Sequence, residues 1–219
     1  MSQENSNFKI LKHPLIEHNM MLLRDKNTKS ELFRSALKRI AYFLFAEATK
    51  CLRTVSVTTE TPLQATKTQV LDSDCEVVIA PILRAGLVFS DVALEFMPSA
   101  SVQHIGMYRD DDTLKPVWYF DKSPCNYKSP ENTLIFVLDP MLATGNSGKE
   151  TIELFLKKGV PAGNITFMSL IAAPEGVKKI HSAYPDINII TAALDERLNS
   201  HGYILPGLGD AGDRIFNSE

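Results

Sequence analysis

Apolar residues recur along this chain in two ways, as short unbroken runs and at helical intervals. Leu134 to Leu138 is a run containing Ile, Phe and Val, which predicts a strand covered on both faces, as in a parallel sheet. Glu76 to Pro81, Ser101 to Tyr108, Ile165 to Ala172 and Ile187 to Ala192 predict further strands, and Thr54 to Thr61, rich in Val and Thr, another. Leu32, Phe33, Ala36, Leu37, Ile40, Phe43, Leu44 and Ala48 fall at helical spacing and predict a long helix reaching about Cys51. Helices are also predicted over Leu87 to Phe96, over Pro174 to His181 with Pro near the first turn, and after Ser147. In the last, Ile152, Phe155 and Leu156 form one apolar face.

Polar punctuation sets the expected ends. Thr28 with Glu31, and Ser147 with Glu150, have the spacing of a capping box, so a helix is expected to open at each. Lys157 and Lys158 occupy the last turn of the second of these, Gly159 follows, and Pro161 blocks continuation. His13 to Arg24 reads as a short strand or a helix leading into a turn at Asp25 to Asn27, and residues 1–12 read as polar and loose. Lys115 to Phe120 suggests the second arm of a β-hairpin projecting from the sheet, suited to a lid or a dimer arm. From Glu76 on, strands and helices alternate, which predicts an α/β fold: a mostly parallel, doubly wound sheet flanked by helices. No repeat or linker divides the chain, so residues 1–219 are expected to form one domain.

Composition narrows the class. With 219 residues, 44% hydrophobic and 22% charged, the chain suits one large globular domain. A net charge of -3 implies no broad basic surface, so nucleic acid is not the default partner. Cys51, Cys75 and Cys125 lie too far apart for a C-x-x-C motif, and their odd number argues against a complete disulfide framework. The polar N-terminus shows no signal peptide and no run approaches a membrane span, so a reducing cytoplasm is the expected home.

Candidate chemistry gathers at strand ends. Asp139 follows the run 134–138, Pro140 ends the ladder, and Ala143, Thr144, Gly145, Asn146 and Ser147 are small or polar ahead of a helix. A helix amino end with a small-residue loop attracts anions, and ligands of open α/β sheets bind beyond the strands' carboxyl ends. A strand–loop–helix unit without a ligand fits the same pattern. Gly148-Lys149 invites a nucleotide P-loop reading, but Ala143 stands where that motif needs its first Gly and Glu150 where it needs Ser or Thr. Arg84 with Gly86, and Arg109 beside Asp110 to Asp112, put charge after two further strands, where a solvated surface cluster is the alternative. Gly202 to Asp213, with four glycines, a proline and two aspartates in twelve residues, is not expected to be a regular element. Its Tyr203, Ile204, Leu205 and Leu208 suit a snug pocket better than a loose tail.

The stretch VLDPMLATGNS, Val137 to Ser147, resembles the PRPP-binding loop of type I phosphoribosyltransferases, and its D-P-M-L-A-T-G form is similar to the uracil phosphoribosyltransferase family. ILRAGL, GMYRD and HGYILPGLGDAGD agree in order and spacing, so the resemblance runs from about His13 to the end. It implies the type I fold with a Gly-rich C-terminal base-binding segment. It further implies PRPP held by Arg84, Arg109, Asp139, Pro140, Met141, Leu142, Ala143, Thr144, Gly145, Asn146, Ser147 and Asp210. Within that set Asp139 would face the ribose hydroxyls, Ala143 to Ser147 the 5′-phosphate, and the two arginines the pyrophosphate. Uracil would be held by Ile204, Gly209, Asp210 and Ala211.

Asn146 departs from the Gly common in the family, and Asn's tolerance of left-handed backbone is expected to preserve the loop. The implied reaction is phosphoribosyl transfer from PRPP to N1 of uracil, giving UMP and diphosphate. No residue need act as a covalent nucleophile, and Mg2+ would be bound mainly through PRPP with no dedicated protein metal site. The resemblance also implies a homodimer or larger homo-oligomer, GTP activation as in some members, and neither a nucleic-acid nor a membrane partner. An RNA-binding pyrimidine regulator on the same fold, and transfer to another base, are the alternatives.

Overall fold

The computed structural model describes residues 7–110 and 116–218. In chain order the strands are β1 Phe8–Ile10, β2 Thr54–Glu60, β3 Ala65–Leu71, β4 Glu76–Leu83, β5 Ser101–Val102, β6 Ile105–Arg109 and β7 Pro116–Asp121. They continue as β8 Thr133–Leu138, β9 Met141–Leu142, β10 Ile165–Ala172, β11 Asn188–Leu194, β12 Arg197–Leu198 and β13 Ile204–Leu205. The helices are α1 Pro14–Arg24, α2 Ser30–Ala48, α3 Leu87–Phe96, α4 Asn146–Lys157, α5 Pro174–Ala183 and α6 Ala211–Phe216.

The main sheet runs β1-β11-β10-β8-β4-β6-β7, with β5 beside β4 and β9 beside β10. Its pairings are parallel except β6 with β7, which form the expected hairpin. The apolar runs are unbroken because both faces are covered. Ile79, Phe136 and Leu138 point toward α1, α2 and α3, while Val78, Ala80, Ile135 and Val137 point toward α4 and α5. Strand periodicity thus feeds two cores, one on each side of the doubly wound sheet.

Several expectations need correction. Neither capping box forms: α2 starts after Lys29 and α4 after Gly145, and neither has a side-chain cap. Ser147 is already inside the first turn of α4. The long helix ends at Ala48, and Thr49–Cys51 is a tighter 3-10 turn. On α2, Ala41 and Phe45 are buried whereas Leu32 is exposed. Residues 8–10 are not loose but pair with β11. His13 caps α1 by accepting the Leu15 N–H at 3.1 Å, which decides that segment as helix. Strand Thr54–Glu60 also has an antiparallel partner, β3, that the sequence pattern did not suggest. The Gly202 to Asp213 stretch holds a short strand, β13, and opens α6.

Candidate active site

Parallel pairing puts the carboxyl ends of β4, β8 and β10 along one edge of the sheet, and a cleft of about 520 Å3 opens there. Its walls come from residues 82–85, 107–108, 139, 141–148, 202–204 and 209–213, together with Phe167. All four motif segments therefore converge, GMYRD through Met107 and Tyr108. Arg109 ends β6 with its backbone, and its side chain lies outside the described residues.

Asp139 stands at the end of β8, half-buried on the cleft floor. Its N–H donates to the Met168 carbonyl at 3.2 Å, and its Oδ1 accepts the Met141 N–H at 3.2 Å. Burial pushes its pKa up to about 7; the Met141 bond opposes this and the negative charge of Asp210 adds to it. Pro140 does not line the cleft. It is buried, and its carbonyl accepts the Leu170 and Ile171 N–H groups, so it pins the loop to β10. Met141 and Leu142 continue that attachment as β9.

Beyond β9 the chain turns through Ala143, Thr144 and Gly145 into α4. Gly145 takes the left-handed backbone, φ 74°, and Asn146 is the first residue of the helix. The left-handed conformation anticipated at Asn146 thus falls one residue earlier, where Gly adopts it without cost. Asn146 instead uses its side chain, accepting from the Lys179 ammonium of α5. The turn nests against α5: a Cβ on Gly145 would lie 2.9 Å from the Gly176 carbonyl oxygen, and one on Gly176 would lie 2.4 Å from that of Ala143. Gly145 at the N-cap has no side chain to bond the helix. Although the Asn146 N–H donates to Thr144 Oγ1 at 3.4 Å, the amino end of α4 faces the cleft with further backbone donors and the positive end of the helix dipole.

Arg84 reaches the cleft from the end of β4. Its guanidinium is 3.3 Å from Asp213 and lies over the Phe216 ring at 5.9 Å. The pair is largely exposed, so it leaves Arg84 open to a stronger anionic partner. On the opposite wall Asp210 caps α6, accepting the Asp213 N–H at 3.0 Å, and Ala211 begins that helix. Ile204 is buried in β13, paired with Leu198, and Gly209 has φ 79°. Ile204, Gly209, Asp210 and Ala211 all line the cleft.

Some participants escaped the sequence reading. Tyr108 and Tyr203 line the cleft, as does Asp213, and Gly176 shapes the 143–145 turn from outside it. The first three carried a signal: Tyr108 lies in GMYRD, and Tyr203 and Asp213 lie in the C-terminal segment, where Tyr203 already suits a pocket. Gly176 carried none, because nothing local shows that α5 packs on the loop.

The family model for uracil phosphoribosyltransferase matches residues 10–218. The chain belongs to the uracil phosphoribosyltransferase family. It is similar to the uracil phosphoribosyltransferase of Dictyoglomus thermophilum, 49% identical over 96% of this chain and 99% of the relative. A solved structure of an Aquifex aeolicus protein is 35% identical, with TM-score 0.87, over 97% of this chain and 99% of that one. An adenine phosphoribosyltransferase from Trypanosoma brucei, solved with AMP, pyrophosphate and ribose-5-phosphate, shares the fold at 10% identity and TM-score 0.54, over 89% of this chain and 87% of that one. The expected type I phosphoribosyltransferase fold is the one observed. Family membership also makes the chain an enzyme of the phosphoribosyltransferase class, which sets the P-loop reading aside a second time.

Proposed function

We propose that this protein transfers the phosphoribosyl group of PRPP to N1 of uracil, forming UMP and diphosphate. The observation that supports it best is the shared cleft: an acid and a helix amino end on one wall, and a glycine-rich, backbone-exposing segment on the other. Asp139, when ionised, accepts hydrogen bonds from the ribose hydroxyls. The amides around Ala143 to Ser147 receive the 5′-phosphate, an arrangement suited to an anion with little flexible charge. Arg84, joined by Arg109, holds the diphosphate with the fork geometry of a guanidinium. Ile204 and Gly209 to Ala211 present backbone groups to the N–H and C=O edge of uracil.

The transfer forms the N1–C1′ bond as the C1′–oxygen bond to diphosphate breaks, and the N1 proton is lost. The chain's contribution is orientation and stabilisation of the departing charge, for which orientation alone supplies on the order of 7–11 kcal/mol in favourable models. Among the described residues no cluster of three or more His, Cys, Asp or Glu could hold a metal alone. Asp139 and Asp210, whose charges interact across the cleft, fit a cation delivered by PRPP itself. Magnesium so delivered would neutralise part of the diphosphate charge. In the cell this would be a cytoplasmic salvage enzyme: its three cysteines are free, and no described helix is long and apolar enough to cross a membrane. It would act as a homodimer or larger homo-oligomer, with GTP as an activator.

The test is a panel of uracil, orotate, hypoxanthine and xanthine, each supplied with PRPP and magnesium. UMP from uracil alone supports the proposal. Turnover of another base in preference, or of none, overturns it.

A further inference from the structure

The wall assigned to the base is not supported by its own short elements. β12 and β13 pair over two residues each, and α6 has six. Between them, residues 206–209 make two left-handed turns, Gly207 at φ 66° and Gly209 at φ 79°. A Cβ on Gly207 would lie 2.1 Å from the Ile204 carbonyl oxygen, so the turn folds tightly back on the residue assigned to uracil. Such a segment needs an external anchor to keep one geometry.

That anchor comes from two residues distant in sequence. Asp195 follows β11, its N–H bonded to the Ala172 carbonyl at 2.8 Å, and it is 8% exposed. Its Oδ2 accepts the Gly207 N–H at 2.8 Å. Arg24, in the last turn of α1, donates to both carboxylate oxygens of Asp195, at 2.9 and 2.5 Å, and also to the Gly207 carbonyl at 2.9 Å. Both backbone groups of Gly207 are therefore held by one bidentate ion pair. The reverse tie exists too: Arg214 of α6 donates to the Leu23 and Asp25 carbonyls at the end of α1 and to that of Leu208 at 2.8 Å.

We propose that Arg24 and Asp195 are positioning residues for the acceptor base: their ion pair fixes Gly207, and through it the Ile204 to Ala211 backbone that meets uracil. The proposal rests on the uracil reading given above. Neither side chain lines the cleft, so both act through the loop. The fork matters as well as the charge, because an ammonium cannot bond two carboxylate oxygens and a carbonyl in one plane. A carboxylate that loses its partner here stays buried and unpaired, which is costly enough to move the loop.

Steady-state kinetics with each substrate varied, on purified full-length protein, tests this with Asp195→Asn, Arg24→Lys and Arg24→Ala. We expect KM for uracil to rise about tenfold, equivalent to about 1.4 kcal/mol. KM for PRPP should rise clearly less, since the 139–147 loop is anchored to β10 and α5 and only Asp210 of the residues assigned to PRPP lies on the tethered segment. Asp195→Asn and Arg24→Lys keep the shape of the site and carry the test if Arg24→Ala fails to fold. Unchanged KM for uracil, or equal rises in both constants, overturns the proposal. A wild-type protein that forms no UMP overturns the uracil reading itself, and that result is distinct.

Discussion

A Cβ on Gly176 would sit 2.4 Å from the carbonyl oxygen of Ala143, so the loop beyond Asp139 is shaped by a glycine on the next helix but one. The contact is backbone against backbone, and neither partner can yield by rotating a side chain. Gly176→Ala is expected to push the 143–145 turn off α5, at a cost of about 1–3 kcal/mol. If that turn cradles the 5′-phosphate, KM for PRPP rises by about tenfold or more and KM for uracil moves little. Calorimetric titration of PRPP into the variant checks it.

Asp139 has a pKa raised to about 7 in the free protein, chiefly by burial. Ionisation is needed for it to accept from two ribose hydroxyls, so kcat/KM for PRPP is expected to fall as pH drops below about 7. Asp139→Asn should remove that acidic limb while lowering kcat/KM about 10- to 100-fold, the loss of a charge-assisted hydrogen bond.

The same group has a stability signature of defined sign. Because its folded-state pKa lies above that of an unfolded carboxyl, the native state holds the extra proton between about pH 4 and 7. Stability associated with Asp139 is present below that window and lost as pH rises through it. Relative to wild type, Asp139→Asn should gain thermal stability at pH 8 compared with pH 4. Melting curves of the ligand-free protein at the two pH values are the check.

Arg84 makes one largely exposed ion pair and a ring contact, so Arg84→Ala should change folding stability by no more than about 0.5 kcal/mol. Its kcat/KM should nevertheless drop about 10- to 100-fold, with Arg84→Lys intermediate because it lacks the fork. The sequence motif carries the same expectation for Arg109→Ala: weakened turnover with little loss of folding. Unchanged kinetics in either variant removes that arginine from the site.

Much of the fold was legible because the central strands β4, β8, β10 and β11 are buried on both faces. Leu87–Phe96 and Ile165–Ala172 have the same bounds in pattern and structure, with Gly86 just ahead of the first and a proline, Pro98 or Pro174, two residues beyond each end. The helix starts were less legible. Thr28-Glu31 and Ser147-Glu150 have capping spacing, yet neither helix start takes a side-chain cap: α2 begins at Ser30 and α4 at Asn146, one residue before Ser147. The cleft itself was legible where a motif carried its own chemistry, as in Asp139 to Ser147. Gly176, Arg24 and Asp195 were not, because their roles exist only across 12 to 183 residues of sequence separation and depend on how distant elements pack.

The central claim is that one cleft holds the phosphoribosyl group on the Asp139 side and reads the base with the backbone of Ile204 to Ala211. A crystal structure of the protein with UMP tests it most directly. The account predicts the phosphate against the amides of Ala143 to Ser147, and the uracil edge within hydrogen-bonding distance of backbone groups at Ile204 and Gly209 to Ala211. Phosphate bound away from the amino end of α4, or a base that makes no contact with the 204–211 segment, would contradict it.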